Sequence, residues 1–152
     1  DTNARGVIFG LSLVHTRAHV YRAFLEAVAY SLRHSMESTH TDLGEYILVA
    51  GGVAKSKLWR QIIADVTGYP VACPVNDVEA NLGDVMLAGV GTGLLTWEDV
   101  KSWQILDEKV LPNPQAHNVY SQYYKLYHSV YQHLKEDMKT VAALANSKKI
   151  EI

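Results

Sequence analysis

A single cysteine, Cys73, stands in a chain of 152 residues, which excludes an intramolecular disulfide framework and a multi-cysteine zinc site. No apolar run approaches membrane-spanning length, and no signal-peptide pattern heads the chain, so no membrane partner is expected. No charge of one sign dominates either. Fourteen Lys and Arg stand against sixteen Asp and Glu, for a net charge of -2, and the basic residues are scattered apart from Lys148-Lys149. That leaves no electrostatic case for a nucleic-acid partner. There is no internal repeat and no low-complexity segment. An initiator Met is also missing, and no helix or strand precedes Arg5, so we expect a piece of a longer polypeptide. What is present is 48% hydrophobic and 20% charged. That composition suits one packed domain and points to a cytosolic, globular protein.

Residues 1–15 read as irregular, with the apolar run Val7-Ile8-Phe9 between two glycines. From Thr16, a suitable N-cap, Val20, Phe24, Val28 and Leu32 recur every fourth residue, with Arg22, Glu26 and Arg33 off that stripe. This predicts an amphipathic helix followed by a loop over Ser38–Glu45. Tyr46-Ile47-Leu48-Val49-Ala50 is a continuous apolar run of strand length, as in a parallel sheet covered on both faces. A second helix is expected from Ser56 to Thr67, with Leu58, Trp59, Ile62, Ile63 and Val66 on one face, ended by Gly68 and Pro70. Val71-Ala72-Cys73 predicts a short second strand. Asn76-Asp77 predicts a cap for a third helix, from Glu79 to Leu95. After a loop of about twenty residues comes a long helix, Asn118 to Ala145. Tyr120, Tyr123, Tyr124, Tyr127, Tyr131, Leu134 and Met138 line one face of it. We read that face as docked on the core, with a partner-protein surface as the alternative. The order of elements signals an α/β layer architecture. Two strands are few for a stable sheet, so either strands lie elsewhere or the first fifteen residues supply one.

The best candidate site is Gly51-Gly52-Val53-Ala54-Lys55-Ser56, where a strand stops on two glycines and a helix begins. Glycines let a backbone approach a ligand closely, and the first N–H groups of a helix favour an anion. A nucleotide phosphate or ribose fits such a turn; a plain βα turn fits it as well. The Walker A loop is excluded because Ala54 precedes Lys55, and the Gly-x-Gly-x-x-Gly fingerprint is not met. Glu79-Ala80-Asn81-Leu82-Gly83-Asp84 opens a stretch rich in small residues, through Ala88, Gly89, Gly91 and Gly93, suited to close packing or to a ligand. Glu79 and Asp84 read as solvated carboxylates near a helix start rather than a metal pair. His15 and His19 stand at i, i+4 with no obvious third ligand, so no metal site and no catalytic residue is assigned within this chain.

Three ordered segments resemble the FGGY carbohydrate kinases, specifically their carboxy-terminal domain. They are Gly6-Val7-Ile8-Phe9-Gly10-Leu11 with His19-Val20, Ala23 and Leu25-Glu26; Ala50 to Ser56 with Leu58-Trp59 and Gln61 through Asp65; and Glu79 to Gly83. Phe24 and Asp84 depart from the usual residues of that pattern. The resemblance implies an actin-like (ribonuclease H-like) α/β fold lacking its first strands, with ATP and Mg2+ bound between two lobes. By position it points to Gly51, Gly52, Val53 and Ser56 as nucleotide contacts. It also implies that the amino-terminal lobe, with the catalytic Asp and most sugar contacts, is absent from this chain, which alone would be inactive. The expected reaction is phosphoryl transfer to a sugar hydroxyl. His15-Thr16-Arg17 and Tyr21-Arg22-Ala23 are similar to xylulose-type kinases and favour a pentulose. The rival readings are a non-catalytic actin-like module that binds a nucleotide or a partner, and a structural fragment that does not bind ATP. Self-association stays open.

Overall fold

The computed structural model describes residues 1–39, 44–75, 80–103 and 105–147. The elements run α1 (Arg17–Thr39), β1 (Ile47–Leu48), a 3-10 turn (Gly51–Val53), α2 (Lys57–Thr67), β2 (Val71–Ala72), α3 (Ala80–Gly91), α4 (Trp97–Ser102) and α5 (Pro114–Ser147). Asn76, Asp77 and Glu79 lie outside the described residues.

Helix α2 is the centre. α1, α5 and β2 all pack on it. Its Ile62, Ile63, Ala64 and Val66 are buried with Leu25, Ala29 and Tyr30 of α1, Val71 and Cys73 around β2, and Tyr124 of α5. Each fully buried aliphatic side chain of this kind contributes about 1.5–3 kcal/mol. Leu58, expected on the inner face, is instead exposed at the first turn. The helix is bounded as its sequence requires. Ser56 caps its start, and Gly68 ends it at φ +77° with its N–H on the Ala64 carbonyl. The His117 imidazole packs so closely on Gly68 that an added Cβ would lie 2.8 Å from its Cε1.

The sheet is a parallel pair, Ile47 against Val71 and Leu48 against Ala72. Beyond the short strand, Val49 N–H still donates to the Ala72 carbonyl at 2.9 Å. The Tyr46–Ala50 run is thus shorter as a strand than expected. The far edge of β2 is closed by antiparallel bridges, Val71 to Val110 and Pro74 to Leu106. Among the described residues no strand pairs with the far edge of β1. Residues 1–15 supply none.

Helix α1 departs most from expectation. Phe24 and Val28, in the predicted apolar stripe, are 58% and 49% exposed, while Leu25, Ala29 and Tyr30 are buried. The packed side carries the charges assigned to the outside. Arg22 Nε donates to Glu26 Oε1 (2.8 Å) and its Nη2 to Tyr120 OH (2.6 Å), while Tyr120 OH donates to Glu26 Oε1 (2.9 Å). Arg33 donates to Glu37 Oε1, the Val66 carbonyl and Ser121 Oγ, and lies over the Tyr124 ring at 4.4 Å. Tyrosines bury their rings but still need partners for their hydroxyls, and these ion pairs supply them.

Four helices also depart from the expected boundaries. The long loop contains α4, started by a capping box in which Thr96 and Asp99 exchange hydrogen bonds. Helix α5 begins four residues early, at Pro114, a favoured first helical position, with Asn113 Oδ1 accepting the Ala116 N–H. Helix α1 continues through Ser38 and Thr39, which were read as loop, and α3 ends at Gly91 rather than Leu95. The docked face of α5 holds for Tyr124 and Met138, both buried, whereas Tyr123 is exposed. No described helix is long and apolar enough to cross a membrane.

Candidate functional site

The turn that follows β1 brings Gly51, Gly52, Val53 and Ser56 together in a strand–turn–helix unit. Ala50 is still extended at φ -125° and ψ 172°; Gly51 then reverses the chain at φ +73°. A side chain there is strained in a conformation that L residues rarely adopt. Ala54 N–H closes the turn on the Gly51 carbonyl (3.0 Å), and Ser56 N–H bonds the Val53 carbonyl (3.1 Å). Ser56 then caps α2, its Oγ accepting the Trp59 N–H at 3.3 Å.

The four residues differ in what they offer. Gly52 is exposed, and a Cβ on it would meet no atom within 4 Å, so its backbone faces open space. Val53 is half-buried and packs on the core, which makes its side chain an anchor and leaves its backbone for any ligand contact. Ser56 is half-buried, with its oxygen used as a cap and its O–H able to donate. The N-terminal end of α2 carries partial positive charge and N–H groups without intrahelical partners. The turn lies at the carboxyl end of a parallel strand, the side of open α/β sheets on which ligands bind.

One residue of this neighbourhood has no role assigned from the sequence beyond its place on a buried face and in the family-like segment. The Trp59 indole Nε1 donates to the Leu25 carbonyl of α1 at 3.2 Å. A tryptophan in the first turn of a helix is the available signal, since its N–H needs a partner when the ring is packed away.

The other candidates do not gather here. Ala88 and Gly83 are exposed. At Gly89 the Leu95 side chain folds over the backbone, where an added Cβ would collide with its Cδ1, so close packing explains that glycine. Asp84 is exposed. His15 and His19 meet edge to face at 5.7 Å, and their Nδ1 atoms bond Ser12 and Thr16. Among the described residues no group of three or more His, Cys, Asp or Glu could hold a metal ion. An open cavity of about 460 Å³ between α1 and α5, lined by His34, Glu37, Ser38, Tyr124, Lys125 and His128, shares no residue with the turn.

Comparison with known proteins bears on the family and the fold. Residues 1–92 match the C-terminal domain of the FGGY family of carbohydrate kinases. The chain is 31% identical over 150 residues to xylulose kinase of Staphylococcus epidermidis, covering 96% of this chain and 30% of that protein. It is 39% identical over 110 residues to glycerol kinase of Mycobacteroides abscessus, covering 68% of this chain and 21% of that protein. The crystal structure of xylulose kinase from Rhodospirillum rubrum superposes with a TM-score of 0.74 at 34% identity, covering 89% of this chain and 28% of that one. The fold is therefore that of the carboxy-terminal domain of the actin-like sugar kinases, present in part. The chain belongs to the FGGY family of carbohydrate kinases, and spans about 30% of the length of the first of these relatives.

Proposed function

We propose that this chain supplies part of the ATP side of a sugar kinase, which transfers a phosphoryl group from MgATP to a sugar hydroxyl. The observation that carries the reading is the Gly51-Gly52 turn, with Gly52 exposed, between a parallel strand and a capped helix, inside the family-matched region. Gly51, Gly52 and Val53 would present backbone to the nucleotide, and Ser56 would add a hydroxyl near it. In such transfer the protein mainly positions the phosphates and stabilises charge, and a carboxylate takes the hydroxyl proton. That carboxylate, and most contacts to the sugar, are assigned to an amino-terminal lobe in the rest of the polypeptide. Mg2+ is held largely by phosphate oxygens, waters and one or two carboxylates. Among the described residues no group of three or more His, Cys, Asp or Glu gathers, and on this reading the ion binds together with the triphosphate. A pentulose such as xylulose is the leading substrate, in keeping with two of the relatives above, although a third is a glycerol kinase. A cytoplasmic setting fits this use of ATP and a free, buried Cys73.

The unfinished surfaces of the fold support the same domain arrangement. The far edge of β1 is bare among the described residues, and the Phe24 and Val28 side of α1 faces solvent. A helix apolar on both sides belongs between two layers. Additional strands and the second lobe would cover these surfaces in the longer protein. The test is Gly52→Asp in that longer protein, which sets a carboxylate where the phosphates would lie. MgATP binding, followed by calorimetry, is expected to be lost; unchanged affinity would overturn the site assignment. Nucleotide binding without phosphoryl transfer to any sugar of a pentulose, hexose and polyol panel would favour the non-catalytic module instead.

A further inference from the structure

We propose that Trp59 is the positioning residue of this turn, a strut that fixes the Gly51–Ser56 backbone against α1. The inference rests on the nucleotide reading for its consequence, but not for its geometry. Gly51 and Gly52 bring no side chains, and Val53 and Ala54 contribute apolar packing on the core. Direction must therefore come from the start of α2. Trp59 is the third residue of that helix and is bonded at both ends. Its N–H lies on Ser56 Oγ at 3.3 Å, which holds the cap, and its indole N–H reaches across to the Leu25 carbonyl at 3.2 Å. Leu25 is itself buried, so the far end of the strut is anchored in the core. The ring packs on the same cluster as Val53 and Ala54, which leaves the turn little freedom to swing as a unit. Trp59 thus joins the cap through its backbone N–H and the neighbouring helix through its side chain.

The test is Trp59→Phe, which keeps an aromatic ring on the core and removes the indole N–H. Met138→Ala, made in a buried residue of α5 outside this cluster, is the comparator for general loosening. Two quantities are measured on the longer protein: amide hydrogen exchange at Ala54 and Ser56, and MgATP affinity by calorimetry. The loss of one neutral hydrogen bond corresponds to about a two- to tenfold change. Exchange at both amides should accelerate by that factor in W59F and MgATP affinity should fall by a similar one, while M138A leaves both near wild type relative to its global unfolding. Unchanged exchange in W59F overturns the strut whatever the nucleotide does. Equal effects in M138A overturn it too, because the effect would then be general. Faster exchange in W59F in a longer protein whose wild type binds no MgATP keeps the strut and sinks the nucleotide reading.

Discussion

Arg33 joins three helices, and its removal should be costly for a residue on a helix surface. Its side chain is 17% exposed, against 52% for its ion-pair partner Glu37. Arg33→Met keeps an unbranched stem of similar reach and deletes the guanidinium. The lost bond to the Val66 carbonyl, at 3.0 Å near the end of α2, is a hydrogen bond from a charged donor. Such bonds contribute about 1.5–3 kcal/mol. The stacking on Tyr124 at 4.4 Å adds about 0.5–1 kcal/mol. The i, i+4 pair with Glu37 is half in solvent and adds no more than about 0.3–0.5 kcal/mol. Methionine packing returns part of this, leaving a net loss of about 2–3 kcal/mol. For a chain of this size that lowers the melting temperature by about 4–12 °C. Burial raises the Glu37 carboxyl pKa, but its bonds to Arg33 and Tyr124 outweigh that and hold it below the ordinary value of 4.5. A lowered carboxyl pKa gives stability that is present above the unfolded value and lost as pH falls through the folded one. The gap between wild type and R33M should therefore narrow below pH 4.5. Thermal melts followed by circular dichroism at several pH values measure both effects. A melting point within 1 °C of wild type at pH 7 (about a quarter to half a kcal/mol), or a gap that does not change in acid, would refute the reasoning.

Three further outcomes are expected. Gly68→Ala places a Cβ at φ +77° and against the His117 imidazole, and should cost about 1–2 kcal/mol in denaturant unfolding; a neutral result would contradict the close approach. Burial, then the bond to Glu37, pushes the Tyr124 phenol up to about 12. Its contribution to stability is full below the unfolded value of 10.0 and is lost as pH rises toward 12, so Y124F should flatten part of the alkaline decline in melting temperature. Ser56→Ala removes the α2 cap for about 1 kcal/mol of stability and should weaken MgATP binding only a few-fold; complete loss of binding would mean its hydroxyl does more than cap the helix.

How much of this was legible in the sequence depended on whether the signal was local. Ser56, Gly68 and the run between them fixed α2 because cap, apolar spacing and stop signal agree within a few residues. Gly51-Gly52 marks the turn for the same reason, though spacing alone favours a plain βα turn over a ligand site. The orientation of α1 was not local. Its two apolar sides compete for the core, and the side that wins is chosen by Tyr120 and Tyr124, which bring hydroxyl partners for Glu26 and Glu37 from nearly a hundred residues away. Period counting ranks Phe24 and Val28 above Leu25 and Ala29 and gives Arg22 and Arg33 to solvent. The start of α5 was missed for a simpler cause: Asn113-Pro114 is a helix-start pair that the apolar periodicity, beginning later, obscured.

Helix α1 links the unfinished part of the fold to the candidate site. Its packed side holds Leu25, whose carbonyl receives the Trp59 indole at the start of α2. Its opposite side exposes Phe24 and Val28. The turn is attached to the other unfinished surface as well, since it continues directly from β1, whose far edge is bare among the described residues. Both elements that orient Gly51 and Gly52 therefore present surfaces suited to further packing. Burying those surfaces would restrict α1 and β1, and through them the turn. A rigid turn holds phosphates at lower entropic cost than a mobile one. On this arrangement, completing the sheet would also sharpen the proposed nucleotide site, because the same two elements carry both.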